Sequence, residues 1–309
     1  MVEARQRIVG GILGLALGDA LGAPFEFRRG LDIPSPIPAF ELLWMDRPPG
    51  SWTDDTAMAR NLWNSLLASG GTLDTDDVLR RHLEWLESSL PDVGNQTVAA
   101  LREHQRGTPG AARVVFDRRG PEVSAGNGSV MYCAPLGLAY ADRADDLLEA
   151  APALSAITHW DERCKTACVA VTLTAAALVR GDDPESAVRA ALERVADREG
   201  GEELDYLTGA AGVERPIDGP DQGFVLFTAG VALRAVGEAR PFEDGLREIV
   251  ALGGDTDTNA SVAGALLGAL HGEDALPSHW LDRLVEATAI REEAEALARL
   301  VARRRSRRR

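Results

Sequence analysis

The chain is poor in cysteine and in aromatic residues. Cys133, Cys164 and Cys168 are the only cysteines among 309 residues, and aromatic residues make up 5% of the sequence. Three cysteines do not make the disulfide framework of a small secreted domain. The low aromatic content also disfavours enzymes that line a large cavity with aromatic rings.

Long hydrophobic runs are scarce as well. The start of the chain does not combine a charged segment, an apolar run and a small-residue cleavage site. The apolar run that precedes Asp19 looks too short and too polar to span a bilayer, and no other apolar segment is expected to reach that length. We therefore predict neither secretion nor a membrane partner, and we expect a cytoplasmic protein.

Positive charge is concentrated at the C-terminus. The net charge is −15, and six of the last seven residues, 303–309, are arginines, so the rest of the chain carries a net charge of −21. An acidic body repels phosphates, and we expect no stable nucleic-acid binding by it. The arginines could form a nucleic-acid or membrane arm, but we interpret them as a solvated, disordered tail.

Apolar residues recur at helical spacing through most of the sequence, whereas alternating β-branched runs are nearly absent. Residues 113–116 are the best candidate for a strand. No composition shift marks a domain boundary, so we predict an all-α fold with one domain over residues 1–302 and a tail over residues 303–309. The predicted helical segments are residues 8–21, 58–67, 78–90, 167–179, 224–236, 262–270 and 281–301.

Two short acidic runs lie about two hundred residues apart. The first is Thr53-Asp54-Asp55-Thr56, and the second is Asp255-Thr256-Asp257-Thr258, preceded by two glycines. Carboxylate and hydroxyl oxygens suit hard cations such as Mg²⁺ or Mn²⁺, although either run alone would also suit a helix N-cap. Four aspartates brought together without a cation would repel one another. If the runs meet, a binuclear metal centre is the leading hypothesis.

Four further segments are candidates for chemistry. Residues 124–129 form a small-residue loop that leads into a predicted helix, an arrangement in which backbone N–H groups surround a phosphate. The others contain Asp19 with Glu26, Asp92 and His159. Each has a simpler interpretation: the aspartates could cap helices, the loop could be only a turn, and the histidine could be a core residue.

His159 with Cys164 and Cys168 could also suggest a metal site, but zinc usually has four ligands. We therefore interpret the cysteines as small buried hydrophobic residues.

Taken in order, these segments resemble the ADP-ribosylglycohydrolases, a family founded by the dinitrogenase-reductase-activating glycohydrolase. The resemblance covers residues 8–285 and rests on six motifs in order. These are Gly14-x-x-x-Gly18-Asp19-Ala20-Leu21-Gly22 with Glu26, Trp52-Thr53-Asp54-Asp55-Thr56, Asp92-Val93-Gly94, Gly126-Asn127-Gly128-x-x-Met131, Ile157-Thr158-His159, and Gly253-Gly254-Asp255-x-Asp257-Thr258.

The resemblance implies a compact single-domain orthogonal helical bundle around two Mg²⁺ or Mn²⁺ ions. The metal-ligand positions that it implies are Thr53, Asp54, Asp55, Asp255, Asp257 and Thr258. The positions implied for substrate binding are Ser124, Ala125, Gly126, Asn127, Gly128 and His159. Of these, residues 124–127 match the loop that holds the diphosphate, and His159 matches a residue near the ADP-ribose. The implied catalytic positions are Glu26, Asp55 and Asp92, the last of which faces the guanidinium in arginine-specific relatives.

The activity implied is metal-dependent hydrolysis of the bond between ADP-ribose and an acceptor, with arginine on a protein expected first. The partner would be an ADP-ribosylated protein or a small ADP-ribosyl substrate. Serine-linked, nucleic-acid-linked or small-metabolite substrates stay open, as does a non-catalytic ADP-ribose-binding relative. Glu26 or Asp55 would be the general base.

An all-α, Mg²⁺-dependent enzyme that ionises diphosphates, such as a terpene cyclase, is a rival from another chemistry. Such enzymes need Asp-Asp-x-x-Asp, but Asp54 and Asp55 are followed by Thr56-Ala57-Met58. The motif and the low aromatic content both argue against that class.

Overall fold

The protein is almost entirely helical, which confirms the predicted all-α class. The computed structural model describes residues 2–88, 93–196, 205–208 and 216–308. Its α-helices are α1 (Ala4–Gly22), α2 (Asp54–Ala68), α3 (Thr75–Ser88), α4 (Asn95–Gln105), α5 (Ala111–Arg119), α6 (Ala134–Ala139), α7 (Leu147–Ser155), α8 (Glu162–Arg180), α9 (Pro184–Ala196), α10 (Val225–Gly237), α11 (Phe242–Ala251), α12 (Thr256–His271), α13 (Ser278–Leu281) and α14 (Ala287–Arg308).

Helices α1 and α12 form the centre of the fold and pack more extensively than any other pair of described helices. Their backbones touch: a Cβ atom added to Gly14 would lie 2.2 Å from the carbonyl oxygen of Gly264, and one added to Gly18 would lie 1.9 Å from that of Ala260. Only glycine permits such an approach. Glycines, which would weaken an isolated helix, therefore allow close helix packing here.

Helix α1 is longer than the apolar run in the sequence suggested. Together with the short turn that follows, it forms the segment Ala4–Phe25, 22 residues with a mean hydropathy of 1.6, long and apolar enough to cross a membrane. The expectation that no segment reaches that length was wrong, because helical residues extend the run on both sides. In the structure 94% of this apolar stretch is buried inside the protein, as in a core helix.

The strand suggested for residues 113–116 is also wrong, because these residues lie within α5. Gly110, with φ of 63°, precedes the helix, and Gly120 follows it. Val115 packs with Ala100 and Ala112 in a small hydrophobic cluster between α4 and α5. Burial against a neighbouring helix outweighs the weak strand preference of two adjacent valines.

The single helix predicted over residues 281–301 is broken into α13 and α14. Between them Glu286 has φ of 58°, and the backbone of Val285 makes two hydrogen bonds. Its N–H donates to the carbonyl of Gly50 (3.0 Å), and its carbonyl accepts from the indole of Trp52 (3.1 Å). The break thus frees backbone groups that hold the segment leading into the first acidic run.

A two-stranded antiparallel sheet lies beside the second acidic run. Strand β1 (Arg28–Arg29) pairs with β2 (Gly253–Gly254), and both glycines have φ near 77°. A Cβ atom on Gly253 would lie 2.4 Å from the nitrogen of Gly30. Left-handed φ and lack of space both require glycine here, and the pairing connects the segment after Glu26 to the strand before Asp255.

The arginine-rich end is helical up to Arg308, where the sequence suggested a disordered tail from residue 303. Arg304 is largely buried: its guanidinium pairs with Asp142 and lies 6.0 Å from the ring centre of Tyr140. A partly buried ion pair with hydrogen bonds fixes this part of the chain. The rest of the domain assignment stays a prediction.

Candidate active site

The first acidic run begins helix α2, and its position is set by Asp19 from the end of α1. The two carboxylate oxygens of Asp19 accept hydrogen bonds from the backbone N–H groups of Thr53 (2.9 and 3.1 Å) and Thr56 (2.9 Å), and from the hydroxyl of Thr56 (2.5 Å). Asp19 therefore satisfies N–H groups that the start of a helix leaves unpaired. Burial raises the pKa of Asp19 to about 6, although the hydrogen bonds oppose this shift.

The second acidic run begins helix α12 and meets the first one. The hydroxyl of Thr258 lies 3.3 Å from Oδ2 of Asp55, and the hydroxyl of Thr53 lies 3.5 Å from the same oxygen. Asp54 is half-buried beside Asp55 in the first turn of α2. Segments from opposite halves of the chain thus share one site.

Three carboxylates lie close together at this junction. Oxygens of Glu26, Asp255 and Asp257 are all within 4.8 Å of one another, and Asp257 is 2% exposed. Burial, followed by repulsion from Glu26, Asp255 and Asp55, raises the pKa of Asp257 well above its usual value. In the described part of the chain, Oδ1 of Asp257 is buried and accepts no hydrogen bond. This oxygen-rich, mutually repelling group fits a divalent cation.

A chain of amides and hydroxyls orients Asp255. The side-chain nitrogen of Asn127 donates to Oδ2 of Asp255 (3.0 Å) and to the hydroxyl of Thr228 (3.1 Å). Thr228 in turn donates to Oδ1 of Asn259 (2.8 Å). Such outer contacts fix the rotamers of ligating carboxylates. The side chain of Asn127 thus points toward the acidic junction.

The small-residue loop presents backbone donors. The N–H of Asn127 donates to the carbonyl of Gly223, and the carbonyl of Ala125 accepts from Val225. The N–H groups of Ala125 and Gly126 make no backbone hydrogen bond within the described residues. Two adjacent free N–H groups suit an anion.

The helix expected directly after this loop begins only at Ala134, because turns occupy residues 127–133. Helix α6 therefore does not place its N-terminus at the loop, and the loop amides are the donors that remain.

His159 supports this loop from behind. A Cβ atom on Gly128 would lie 2.8 Å from Cε1 of the ring and 3.0 Å from the hydroxyl of Thr97, and one on Gly126 would lie 3.5 Å from Nε2. The other ring nitrogen of His159 lies 2.9 Å from the hydroxyl of Thr158. Burial lowers the pKa of His159 to about 4, so its ring is neutral at neutral pH. The histidine thus combines a core position with contact to the loop.

A cavity of about 570 Å³ opens beside the loop, the size of a typical small-molecule site. It is lined by Gly126, Arg163 and an aromatic cluster of Tyr206, Phe224 and Phe227, whose ring centres are 5.3–5.6 Å apart.

The cavity adjoins the carboxylates. Gly223 also lines it, and a Cβ atom there would lie 3.5 Å from Oδ2 of Asp255. The aromatic cluster lines the cavity, and the carboxylates lie beside its wall at Gly223. We call these two parts the aromatic end and the acidic end of the site.

Several residues of the site were not predicted from the sequence. Phe224 and Phe227 have helical spacing, which could have been noticed, but Tyr206 stands in a segment without periodicity. Thr228 and Asn259 carried no signal beyond ordinary polar residues in helices. Asp92, the acid expected to face the acceptor, lies outside the described residues. The other predicted site residues come from the two acidic runs, the loop over residues 124–128, Glu26 and His159. Ala125 and Gly126 line the cavity, His159 packs against the loop, and the acidic runs meet beside Glu26.

Known proteins resemble the chain over almost its whole length. The profile of a family described as "ADP-ribosylglycohydrolase" matches residues 1–309. The chain is 33% identical over 286 residues to an "ADP-ribosyl-[dinitrogen reductase] glycohydrolase" of Rhodospirillum rubrum, covering 91% of each protein. It is 29% identical to "ADP-ribosylarginine hydrolase Tri1" of Serratia proteamaculans (strain 568), covering 96% of this chain and 80% of that one.

A solved structure extends the similarity to the fold. It is described as "ADP-ribosylglycohydrolase-related protein complex" and superposes with a TM-score of 0.81 at 35% identity, covering 97% of this chain and 99% of that one. Sequence and fold agree over the whole chain and not only at the acidic runs. The chain therefore belongs to the ADP-ribosylglycohydrolase family and is a hydrolase that acts on ADP-ribosyl glycosidic bonds.

Proposed function

We propose that the enzyme is a metal-dependent hydrolase that releases ADP-ribose from arginine side chains of proteins. The observation that carries the proposal is the group of Glu26, Asp255 and Asp257, of which Asp255 lies beside the Gly223 wall of a cavity of about 570 Å³. Hydrolysis at an anomeric carbon requires that the substrate be held in position and that carboxylates lie at the bond to be cleaved. We also expect a cytoplasmic enzyme without a stable nucleic-acid or membrane partner.

The shape of the cavity supports one orientation of ADP-ribose. Its aromatic end, formed by Tyr206, Phe224 and Phe227, would hold the adenine, because aromatic rings pack well against a flat base. The free N–H groups of Ala125 and Gly126 would bind the diphosphate. The ribose that carries the acceptor would then lie at the carboxylates, past Gly223.

Two Mg²⁺ or Mn²⁺ ions would be held at the acidic end by oxygens from both runs. Bound there, they would neutralise the carboxylates and polarise neighbouring oxygens. The unpaired Oδ1 of Asp257 and the raised pKa of this residue support the assignment, since both are expected of carboxylates gathered around a cation position. The proposed ligands are Thr53, Asp54, Asp55, Asp255, Asp257 and Thr258, with Glu26 beside them.

A carboxylate must accept the proton of the attacking water. Asp55 is 1% exposed, and hydroxyls of Thr53 and Thr258 lie within 3.5 Å of its Oδ2, so it is held in place. Glu26 is half-buried and lies at the edge of the cluster. We therefore favour Glu26 as the general base, because it reaches both the cluster and solvent.

Arginine linkage is supported by charge. A pocket for a departing guanidinium should contain a carboxylate, because the Arg–carboxylate pair is strong and directional, and the net charge of −15 favours a cationic acceptor. Asp92 is our candidate, two positions before Gly94, which is the N-cap of α4. The name of the relative from Serratia proteamaculans also mentions ADP-ribosylarginine.

A substrate panel tests this proposal. The protein is incubated with Mg²⁺ or Mn²⁺ and with arginine-, serine- and phosphate-linked ADP-ribose, and released ADP-ribose is measured. Release from the arginine substrate, abolished by chelator after verified metal removal, is the expected result. Cleavage of serine- or phosphate-linked substrates alone would overturn the arginine assignment, and full turnover without metal would overturn the metal assignment.

A further inference from the structure

The described part of the chain exposes few large apolar side chains, and most of them lie in one loop. Phe27, Leu31, Leu43 and Met45 are 58–94% exposed, and Val123 at the cavity is the fifth. The first four lie within residues 27–47, which we call the rim loop. Soluble proteins scatter exposed apolar residues, and a concentration in one segment marks an interaction surface.

Both ends of the rim loop are attached to the acidic end of the site. The N–H of Phe27, next to Glu26, donates to the carbonyl of Gly254 (2.7 Å), next to Asp255. At the other end, the guanidinium of Arg47 donates to the carbonyl of Trp52 (3.4 Å), immediately before the first acidic run. The two ends of the rim loop are thus held next to residues of the acidic end.

Backbone strain provides a second, independent observation. Phe27 has φ of 60° and Met45 has φ of 52°. Residues other than glycine, asparagine and aspartate rarely adopt this left-handed backbone conformation, because their Cβ atom comes too close to the following carbonyl oxygen. Phe27 and Met45 therefore combine a strained backbone with an exposed apolar side chain. Such strain clusters at active sites and ligand-binding segments.

We propose that the rim loop is a docking surface for the polypeptide that carries the ADP-ribose. The inference rests on the proposed function: with adenine at Phe224 and Phe227, the scissile bond lies at the carboxylates, and the acceptor emerges beside the rim loop. A polypeptide offers apolar side chains for this surface, whereas a nucleic acid would present phosphates to a chain of net charge −15. A free amino acid offers one side chain and would bury little of this surface.

The test compares two substrates of different size with one linkage. Phe27→Asn and Met45→Asn, singly and together, remove the apolar groups but keep a residue that tolerates left-handed φ. The substrates are a folded protein ADP-ribosylated on one arginine and free ADP-ribosylarginine, both with Mg²⁺ or Mn²⁺. We expect the double variant to lose about tenfold or more in kcat/KM on the protein, mainly through KM, and less than about twofold on the amino acid.

A matched control separates docking from relief of strain. Ala239 is also exposed and has φ of 50°, but it follows α10 at a turn outside the rim loop. Ala239→Asn should leave the kcat/KM of both substrates unchanged. Equal effects of the rim variants on both substrates, or no effect on either, would overturn the docking surface. A wild type that cleaves neither substrate would overturn the proposed function and with it this inference.

Discussion

The hydroxyl of Thr258 lies 3.3 Å from the carboxylate of Asp55, although 203 positions separate the two residues. Each residue lies in the first turn of its helix, so the contact joins the start of α12 to the start of α2. Both side chains are buried. The same oxygen of Asp55 is also approached by Thr53. One carboxylate thus connects the two halves of the proposed metal site.

Metal should stabilise the fold through this junction. We expect the melting temperature to rise with added Mg²⁺ or Mn²⁺, because a ligand at a hundred times its Kd adds about 2.7 kcal/mol to stability. In the double variant Asp54→Ala, Asp257→Ala the rise should vanish and activity should be lost. Thermal scans with and without chelator measure the first effect. A metal-induced rise that persists in the double variant would contradict the proposed ligands.

Asp19 should act on stability without being a proposed ligand itself. Asp19→Ala leaves the buried N–H groups of Thr53 and Thr56 without their acceptor, and each unsatisfied buried donor costs about 1–3 kcal/mol. For the two donors we expect a loss of about 2–6 kcal/mol in urea unfolding. Asp19→Asn keeps one acceptor oxygen and should lose less. Equal stability of the alanine variant and the wild type would show that the carboxylate does not hold the start of α2.

The loop beside the cavity should control substrate affinity. Gly126→Val adds atoms near the ring of His159 and beside the free N–H groups, so we expect the KM for ADP-ribosyl substrates to rise by about an order of magnitude, equivalent to about 1.4 kcal/mol. Gly107→Val is a control, since a Cβ atom there meets no neighbour within 4 Å, although its φ of 73° makes some loss of stability expected. Failure of millimolar ADP-ribose to inhibit the wild type competitively would contradict the diphosphate assignment.

Asp92 should decide the linkage. Asp92→Asn removes the charge but keeps the size of the side chain, and the N-cap of the following helix, α4, is Gly94. We therefore expect normal folding, measured by circular dichroism, with strongly reduced turnover of arginine-linked substrate. Wild-type turnover in this variant would remove the residue from the acceptor pocket while leaving the metal-dependent reaction intact.

Buried histidines should make stability depend on pH. Burial lowers the pKa of His82 to about 3, below the value of about 6.5 in an unfolded chain. Between pH 3 and pH 6.5 the unfolded chain binds a proton at His82 that the folded protein does not bind. The folded state is therefore favoured fully above pH 6.5 and loses stability as the pH falls toward 3. The loss is about 1.4 kcal/mol per pH unit. His82→Gln should flatten the pH dependence of urea unfolding over this interval, and an unchanged slope would exclude His82 as its source.

Sequence periodicity predicted the helical class and the core helices because their apolar residues face neighbours at a fixed spacing. It failed where long-range contacts decide: Val115 is helical because α4 covers it, and the break at Val285 exists because two residues far away in sequence bond to it. The acidic runs were visible because their chemistry is local. The aromatic end of the cavity was not, since Tyr206 and Phe224 converge only in the fold.

The backbone contact between α1 and α12 has a consequence for divergence among relatives. Asp19, near the end of α1, holds the first acidic run, and Asp255, in the second run, immediately precedes α12. The distance between the two runs therefore depends on a backbone contact between α1 and α12 that has no intervening side chains. Substitutions in outer helices alter packing volumes but not this separation, whereas any side chain at Gly14 or Gly264 would push the runs apart. We expect the sequences of the outer helices to vary among relatives. Substitutions at the contact between α1 and α12 should instead abolish activity.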